Sequence, residues 1–376
     1  LEGFDVFSIS VLADDAPADH FSLSRFYPAL KNCLKPCRTS VIDVREAEQV
    51  LKVGELIAGS KEAYDAHPFI TFGYCSIVTP LTMDFDSTEM LMYYAENDIP
   101  AYGTVAPVGG AGTPLSLAGT LALINAEWLA TCVLTQISKP GRQMIYNFLP
   151  VFTDMRDGSF AAGGIETGMM NSAICQLARH YNVPAGGYLG LTNSKVCDAQ
   201  AGFEKGMSPL LGAMSGVNYI VMGGLLDALM TFDFGQVVID NEIALMLKRV
   251  VRGIEFSEEN LCLDEIKKVG PAGMYIGNPE TLERMTTTCF LPDYADRNIR
   301  ETWVDKGATD MRTRAMAKVH EVLSSPNANA ISAEVDATIK AKFPGIVAGD
   351  SITPEGMVAP EKQRGRRQSR RSRANA

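Results

Sequence analysis

The stretch from Ile99 to Gln136 recurs, with variations, along most of this chain, and that recurrence limits the fold more than any other feature. Ile99-Pro-Ala-Tyr-Gly-Thr-Val-Ala-Pro107 is a short apolar run that reads as a strand. Val108-Gly-Gly-Ala-Gly-Thr113 follows, a glycine-dense turn where backbone approaches a ligand without Cβ interference. Thr113 then stands where an N-cap belongs, with Pro114 as the first helical residue, where a missing N–H is harmless. Beyond it Leu117, Leu121, Ile124, Trp128 and Cys132 return every three or four residues, the spacing of a helix. The unit is strand, tight glycine loop, long helix.

Six further runs obey the same grammar. Strands are predicted over Val6–Leu12, Thr39–Val44, Phe69–Ile77, Gln143–Val151, Pro184–Leu191 and Asn218–Leu225. Helices are predicted from Tyr27 to Cys33, from Arg45 onward, from Thr88 to Asn97 behind a cap at Asp86 or Ser87, from Glu166 onward, from Ala199 to Met214, and from Gln236 to Val251. Asp154 to Gly164 reads as a long loop. Strict alternation of this kind implies α/β architecture, a parallel sheet with helices outside it. Seven β/α units suit a (β/α)8 TIM barrel better than an open sheet, provided the eighth unit, expected at the N-terminus, lies outside the sequence shown. The expected divisions are a barrel over 1–253, a C-terminal helical extension over 254–350, and a disordered basic tail over 351–376.

Composition narrows the function. Of 376 residues 46% are apolar and 21% charged, enough for a sizeable core. A formal charge of −10 argues against nucleic-acid binding through the main body, and the basic run Lys362 to Arg373 reads as a solvated tail. Eight cysteines lie scattered, several in apolar runs (Cys75, Cys132, Cys175), which suits reduced, buried thiols in a cytoplasmic protein. Cys33 and Cys37 lack the second pair or nearby histidine that would complete a zinc site. With four histidines a His-based metal centre is not expected. No apolar run reads as membrane-spanning, and no signal peptide opens the chain.

In a barrel, ligands bind beyond the C-terminal strand ends, so residues there are the candidates. Tyr74, Tyr102, Phe148 and Tyr188 lie in or near strand ends; Glu166, Asp198, Gln200 and Asp227 lie in the loops or first helical turns that follow. Aromatic faces with a few carboxylates suit a cation, above all a quaternary ammonium, which has no N–H to donate. Core packing for each aromatic, and a helix N-terminal charge for each acid, are the plain structural alternatives. No nucleophile–histidine pairing stands out. The glycine loop also admits a different function, a phosphate cradle, although no Lys or Arg stands beside it.

Five segments, Gly112-Thr-Pro-Leu-Ser-Leu-Ala-Gly119, Asn125-Ala-Glu-Trp-Leu129, Gln136-Ile-Ser-Lys-Pro-Gly141, Asp198-Ala-Gln-Ala-Gly-Phe-Glu204 and Val238-Ile-Asp-Asn-Glu-Ile243, together resemble the trimethylamine:corrinoid methyltransferase superfamily over roughly Val6 to Gly253. The resemblance implies a cytoplasmic TIM barrel that moves a methyl group from a methylated amine to the Co(I) of a separate corrinoid protein. It implies no tightly bound cofactor and no metal in the chain itself, the corrinoid (cobalamin) coming with the partner, and a homo-oligomer. The family's pyrrolysine position falls at Ala228, in Gly223-Gly-Leu-Leu-Asp-Ala-Leu229. An ordinary residue there points away from trimethylamine and toward a glycine-betaine-type substrate with a permanent positive charge. Its methyl leaves behind a neutral amine, so a strong nucleophile takes it without a protein acid. A corrinoid does not fit inside a filled barrel, so the partner is expected at the C-terminal rim, on loops that include Gly110, Gly112 and Thr113. A binding or scaffolding homologue without catalysis is the other reading.

Overall fold

The computed structural model describes residues 1–11, 16–325, 330–347 and 349; the basic tail lies outside the described residues. Seven short strands follow one another in the order of the chain: β1 (Phe7–Ser8), β2 (Cys37–Thr39), β3 (Ile70–Tyr74), β4 (Ala101–Gly103), β5 (Tyr146–Phe148), β6 (Ala185–Gly190) and β7 (Tyr219–Met222). β1 to β4 form one parallel sheet and β5 to β7 another. A single parallel bridge between Val105 and Phe148 joins them. The molecule is therefore mixed α/β with parallel sheets, and its strands are shorter than the apolar runs that contain them.

The helices that alternate with these strands are α1 (Phe21–Asn32), α2 (Val44–Ala58), α3 (Lys61–Ala66), α4 (Phe85–Glu96), α5 (Leu117–Ser138), α6 (Ile165–Tyr181), α7 (Ala199–Met214) and α8 (Phe234–Arg252). Alternation along the strands sends one set of side chains outward. Cys37, Ile70, Phe72 and Tyr74 pack with Val50, Leu91 and Tyr94. Tyr146, Phe148 and Ala185 pack with Trp128 and Ile174. Each such aromatic or aliphatic side chain contributes about 1.5–3 kcal/mol by leaving water.

Several expected boundaries move, each for a local reason. Residues expected to end the second strand instead turn, because the Asp43 carboxylate accepts from Glu46 N at 2.8 Å and starts α2 at Val44. Asp84 rather than Asp86 or Ser87 caps α4, through Ser87 N at 2.9 Å. Ser116, not Thr113, caps α5, since the Thr113 hydroxyl turns inward to Thr120 at 2.7 Å. The expected loop after Asp154 is a hairpin, Val151–Asp154 against Ser159–Ala161, and it pairs in parallel with Val108–Gly109. This small sheet stands directly beyond the C-terminal ends of β4 and β5.

One expectation about membranes is corrected: α5 is long and apolar enough, by length and composition, to cross one. Its buried Glu127 accepts from Thr79 Oγ1 at 2.9 Å and Leu81 N at 2.8 Å, tying the helix to the turn after β3.

Segments after Gly253 are anchored on the same framework. The helix Met311–Ser324 lays Ala315 and Val319 against Val238 and Ile239 of α8. Ile339, in the helix Ala333–Lys342, enters the core beside α1 and α2 together with Phe343. Buried Glu242 of α8 accepts from the backbone N–H groups of Asp293 and Tyr294, each at 2.7 Å, and of Ala295 at 3.0 Å. Glu242→Gln turns an amide N–H₂ toward those donors, and we expect a loss of about 1–3 kcal/mol of stability with faster hydrogen exchange at 293–295. Exchange unchanged at these amides would show that the carboxylate does not hold this segment.

Candidate functional site

The inward-facing residues of the seven strands build a polar layer. Arg38 comes from β2, Tyr102 from β4, Asn147 from β5, Tyr188 from β6 and Tyr219 from β7. The Arg38 guanidinium donates to the Tyr188 hydroxyl at 2.9 Å and to Ser8 Oγ at 3.3 Å. It lies 4.7 Å from the centre of the Tyr102 ring and 5.8 Å from that of Tyr188. The Tyr102 hydroxyl donates to the Tyr219 hydroxyl at 2.7 Å, with the rings edge to face at 5.4 Å. Apart from the bond to Ser8 of adjacent β1, none of these contacts joins neighbouring strands, so the sheets curve far enough for side chains to meet across the interior. Gly73 makes the arrangement possible, for a Cβ there would stand 2.9 Å from an Arg38 nitrogen.

Burial pushes the Tyr102 hydroxyl well above its ordinary range, with Arg38 pulling the other way and the Tyr219 and Tyr188 hydroxyls adding to the rise. For Arg38 burial acts downward but the surrounding tyrosine hydroxyls prevail, and the net direction is up. The guanidinium therefore stays charged, although only 7% exposed. Among the described residues its Nε has no hydrogen-bond partner, and neither has Asn147 Oδ1.

Above this layer lie Val151, Ala162 and Leu191, with Leu149, Phe160, Tyr188, Ala228 and Leu229 packed on them. Ala228 thus sits over the interior, sharing a cluster with Tyr188. Its backbone is unusual: Asp227, Ala228 and Leu229 have φ of 49°, 52° and 79°, three consecutive non-glycine residues in the left-handed region. Such conformations are uncommon and cost roughly 1–2 kcal/mol per residue. Asp227 N donates to Ser194 O at 2.7 Å and Ala228 N to Thr192 O at 2.8 Å, which pins the turn to the loop after β6. The short antiparallel pair Leu225–Leu226 and Thr231–Phe232 brackets it.

Beneath that turn is a fully buried ion pair, Lys205 Nζ to Asp240 Oδ2 at 3.1 Å. Lys205 also donates to Gly190 O at 2.5 Å and Leu225 O at 3.0 Å. Asp240 accepts from Gly224 N at 2.7 Å and Gln236 Nε2 at 2.8 Å. Burial pushes the Asp240 carboxyl up, against the pull of Lys205, Gln236 and Gly224. The bonds to Gly190 O, Leu225 O and Gly224 N fix the end of β6 and the entry to the strained turn, while Gln236 holds the Asp240 carboxylate within α8.

The eight expected site residues are divided. Tyr102 and Tyr188 face the interior. Tyr74 and Phe148 face the helices, Tyr74 against Tyr94 and Phe148 against Tyr146, and burial pushes the Tyr74 hydroxyl up to about 12. The period of two puts Gly73 and Asn147 inside in their place. Glu166 is exposed in the first turn of α6. Asp198 is the N-cap of α7, accepting from Ala201 N at 3.0 Å and Ser194 Oγ at 2.8 Å, and these donors hold its carboxyl below the usual range. Gln200 donates to Glu204 at 3.0 Å. Asp227 is half-buried on the strained turn, 3.3 Å from Lys195.

Arg38, Tyr219 and Asn147 are the interior residues that sequence reasoning missed. A charged residue inside an otherwise buried strand was the available signal for Arg38. Cys75, expected to be buried, is exposed. Among the described residues Cys262, Glu265 and Glu280 bring three donors within 4.8 Å, but Arg284 already pairs with Glu280 at 3.2 Å.

Around Gly110, Gly112 and Thr113 the backbone is closed on itself. Ala111, Gly112 and Thr113 all donate to Val108 O, at 3.1, 2.9 and 3.2 Å, and Gly110 donates to Thr113 O at 2.9 Å. A phosphate cradle needs these N–H groups free, so that alternative loses its donors.

Residues 3–343 match the family described as trimethylamine methyltransferase (MTTB). The chain belongs to that family. It is 33% identical over 328 residues to a glycine betaine methyltransferase of Desulfitobacterium hafniense strain Y51, covering 87% of this chain and 68% of that one. It is 32% identical over 335 residues to the trimethylamine methyltransferase MttB of D. hafniense strain DSM 10664 / DCB-2, covering 88% and 67%. With the corresponding enzyme of Methanosarcina barkeri strain Fusaro it shares 32% over 277 residues, 74% of this chain and 56% of the relative.

The ion pair beneath the turn gives the stability prediction of this site. Lys205→Met leaves Asp240 buried without its cation, and we expect a loss of about 3–5 kcal/mol. Combining it with Asp240→Leu should recover a large part. A denaturant-unfolding double-mutant cycle checks this; additive losses would show that the two groups act independently.

Proposed function

We propose that this protein takes a methyl group from a methylated amine, a quaternary one such as a betaine, and delivers it to the Co(I) of a corrinoid protein. The observation that carries the reading is family membership together with 33% identity, over 87% of the chain, to a relative named glycine betaine methyltransferase. Ala228, an ordinary residue at the position matched to pyrrolysine, supports a substrate that is already activated by its own charge.

The interior suits that reaction. Aromatic rings and apolar side chains lie over the polar layer, and holding a methyl group there in one orientation, away from water, would account for much of such a reaction's rate. A corrinoid supplies a strong nucleophile at cobalt, so the protein's own residues need only bind, orient and exclude water. The four histidines lie outside the interior layer, on or beside helices. We further infer a (β/α)8 barrel. Sequential parallel order, the contacts across the interior, and Phe4 packed beside Gly223 next to β7 support it.

The corrinoid protein would approach from the rim formed by Gly109–Thr113, the 151–161 hairpin and the loop 192–198. Exposed Ala111 and the closed, self-bonded backbone around it make a firm surface without spare donors. The reading also carries a cytoplasmic location and self-association, the latter supported by apolar side chains such as Val133 and Ile137 on the outer face of α5.

A methyl-transfer screen of quaternary amines against free Co(I) cobalamin is the primary test, and we expect at least one betaine to serve as donor. Binding without any transfer would favour a non-catalytic homologue instead. Ala111→Glu should weaken docking of the corrinoid protein by at least about tenfold, an effect of about 1.4 kcal/mol, and leave amine binding unchanged. The reverse pattern in paired titrations would remove this loop from the docking surface.

A further inference from the structure

We propose that Arg38 anchors an anionic group of the substrate, a carboxylate, so that this interior selects a zwitterion over a simple cation. The inference rests on the methylated-amine reading and adds to it a residue and a substrate class.

Arg38 is a cation in the place where the reading puts another cation. It is 7% exposed, and among the described residues it forms no ion pair with any carboxylate; its partners are the hydroxyls of Tyr188 and Ser8 and the faces of two tyrosine rings. A guanidinium carries more N–H donors than these contacts use, and Nε is left with none. A buried charge in that condition is unfavourable unless something completes it. A planar carboxylate is the natural complement, because it takes Nε and a terminal nitrogen together in a bidentate pair.

The tyrosines lead to the same conclusion. The ring faces of Tyr102 and Tyr188 that would hold an ammonium already lie beside the guanidinium, at 4.7 and 5.8 Å. A bare quaternary ammonium entering this layer meets a like charge in a low-dielectric setting, which disfavours it. A zwitterion reverses the balance. Its carboxylate neutralises Arg38, and its ammonium extends away from the guanidinium toward the cluster that Tyr188 shares with Ala228. Tyr188 and Tyr219 are half-buried rather than sealed. Absence of a side chain at Gly73 gives the guanidinium its room.

The test is calorimetric titration of four probes: glycine betaine, choline, tetramethylammonium and 3,3-dimethylbutanoate, in which a neutral tert-butyl group replaces the trimethylammonium. Each is measured on the parent protein, Arg38→Gln and Arg38→Lys, with circular dichroism confirming the fold. We expect the parent to bind glycine betaine about 10- to 100-fold more tightly than choline or tetramethylammonium, the range for one charge-assisted pair. Arg38→Gln should erase that preference without weakening tetramethylammonium, and Arg38→Lys should restore part of it. Equal affinities in the parent, or a preference that survives Arg38→Gln, would overturn the proposal while leaving the methylated-amine reading intact. Arg38-dependent binding of 3,3-dimethylbutanoate as tight as that of glycine betaine would uphold the anion site and count against the methylated-amine reading. Failure of every probe to bind the parent would overturn the proposal. Should Arg38→Gln not fold, the parent's ranking of the four probes decides by itself.

Discussion

An ammonium and a carboxylate with no access to water hold the functional end of this molecule in one arrangement. Lys205 and Asp240 come from α7 and α8, and between them they bond Gly190 O, Leu225 O, Gly224 N and Gln236. Taken out of water, each group is strongly unfavourable alone and tolerable only with all its partners in place. The pair therefore does more than join two helices. It fixes where β6 ends and where the chain enters Asp227–Leu229, the strained turn that carries Ala228 over the interior. A flexible or water-filled support would let three left-handed residues relax; here the entry to the turn and the N–H groups of Asp227 and Ala228 are all bonded.

The interior shows the opposite economy. At the ion pair charge is matched and donors are consumed, whereas around Arg38 a charge is buried with donors left over. Among the described residues Lys205 and Arg38 are buried cations, and of the two Lys205 alone is paired with a carboxylate. On the proposed reading, the contrast separates a group whose work is finished on folding from one that a ligand would complete. It also explains how tyrosines can be numerous in a site without forming a cage for an ammonium: their faces are turned to an arginine.

At the rim, the glycine loop illustrates a related separation. Its glycines permit the tight path, with Gly110 at φ 87°, but the freed N–H groups close on Val108 and Thr113. A glycine-rich loop before a helix signals a ligand only when its donors remain available. Here the loop is a rigid edge beside the hairpin 151–161, and its contribution is shape.

Alternation of apolar runs with helical periods gave the order and the parallel sense of all seven strands, because period two and period 3.6 are properties of local sequence. Family membership was legible as well, in the five quoted segments. Asp198, expected as a substrate contact, took instead the alternative of a charge at a helix N-terminus, as the cap of α7. Where each strand began and which residues it turned inward was not legible. A shift of one residue exchanges the faces, so Tyr74 and Phe148 went to the helices while Gly73 and Asn147 went inside. Nor did the chain reveal that Arg38 would meet Tyr188, 150 residues away, or that Tyr102 would meet Tyr219. Those pairings depend on sheet curvature, which sums small twists over many strands and leaves no mark on any single segment. Sequence determined the repeating unit and the chemistry available to it; the tertiary structure decided which of those groups share one enclosed space, because only there does distance replace position along the chain.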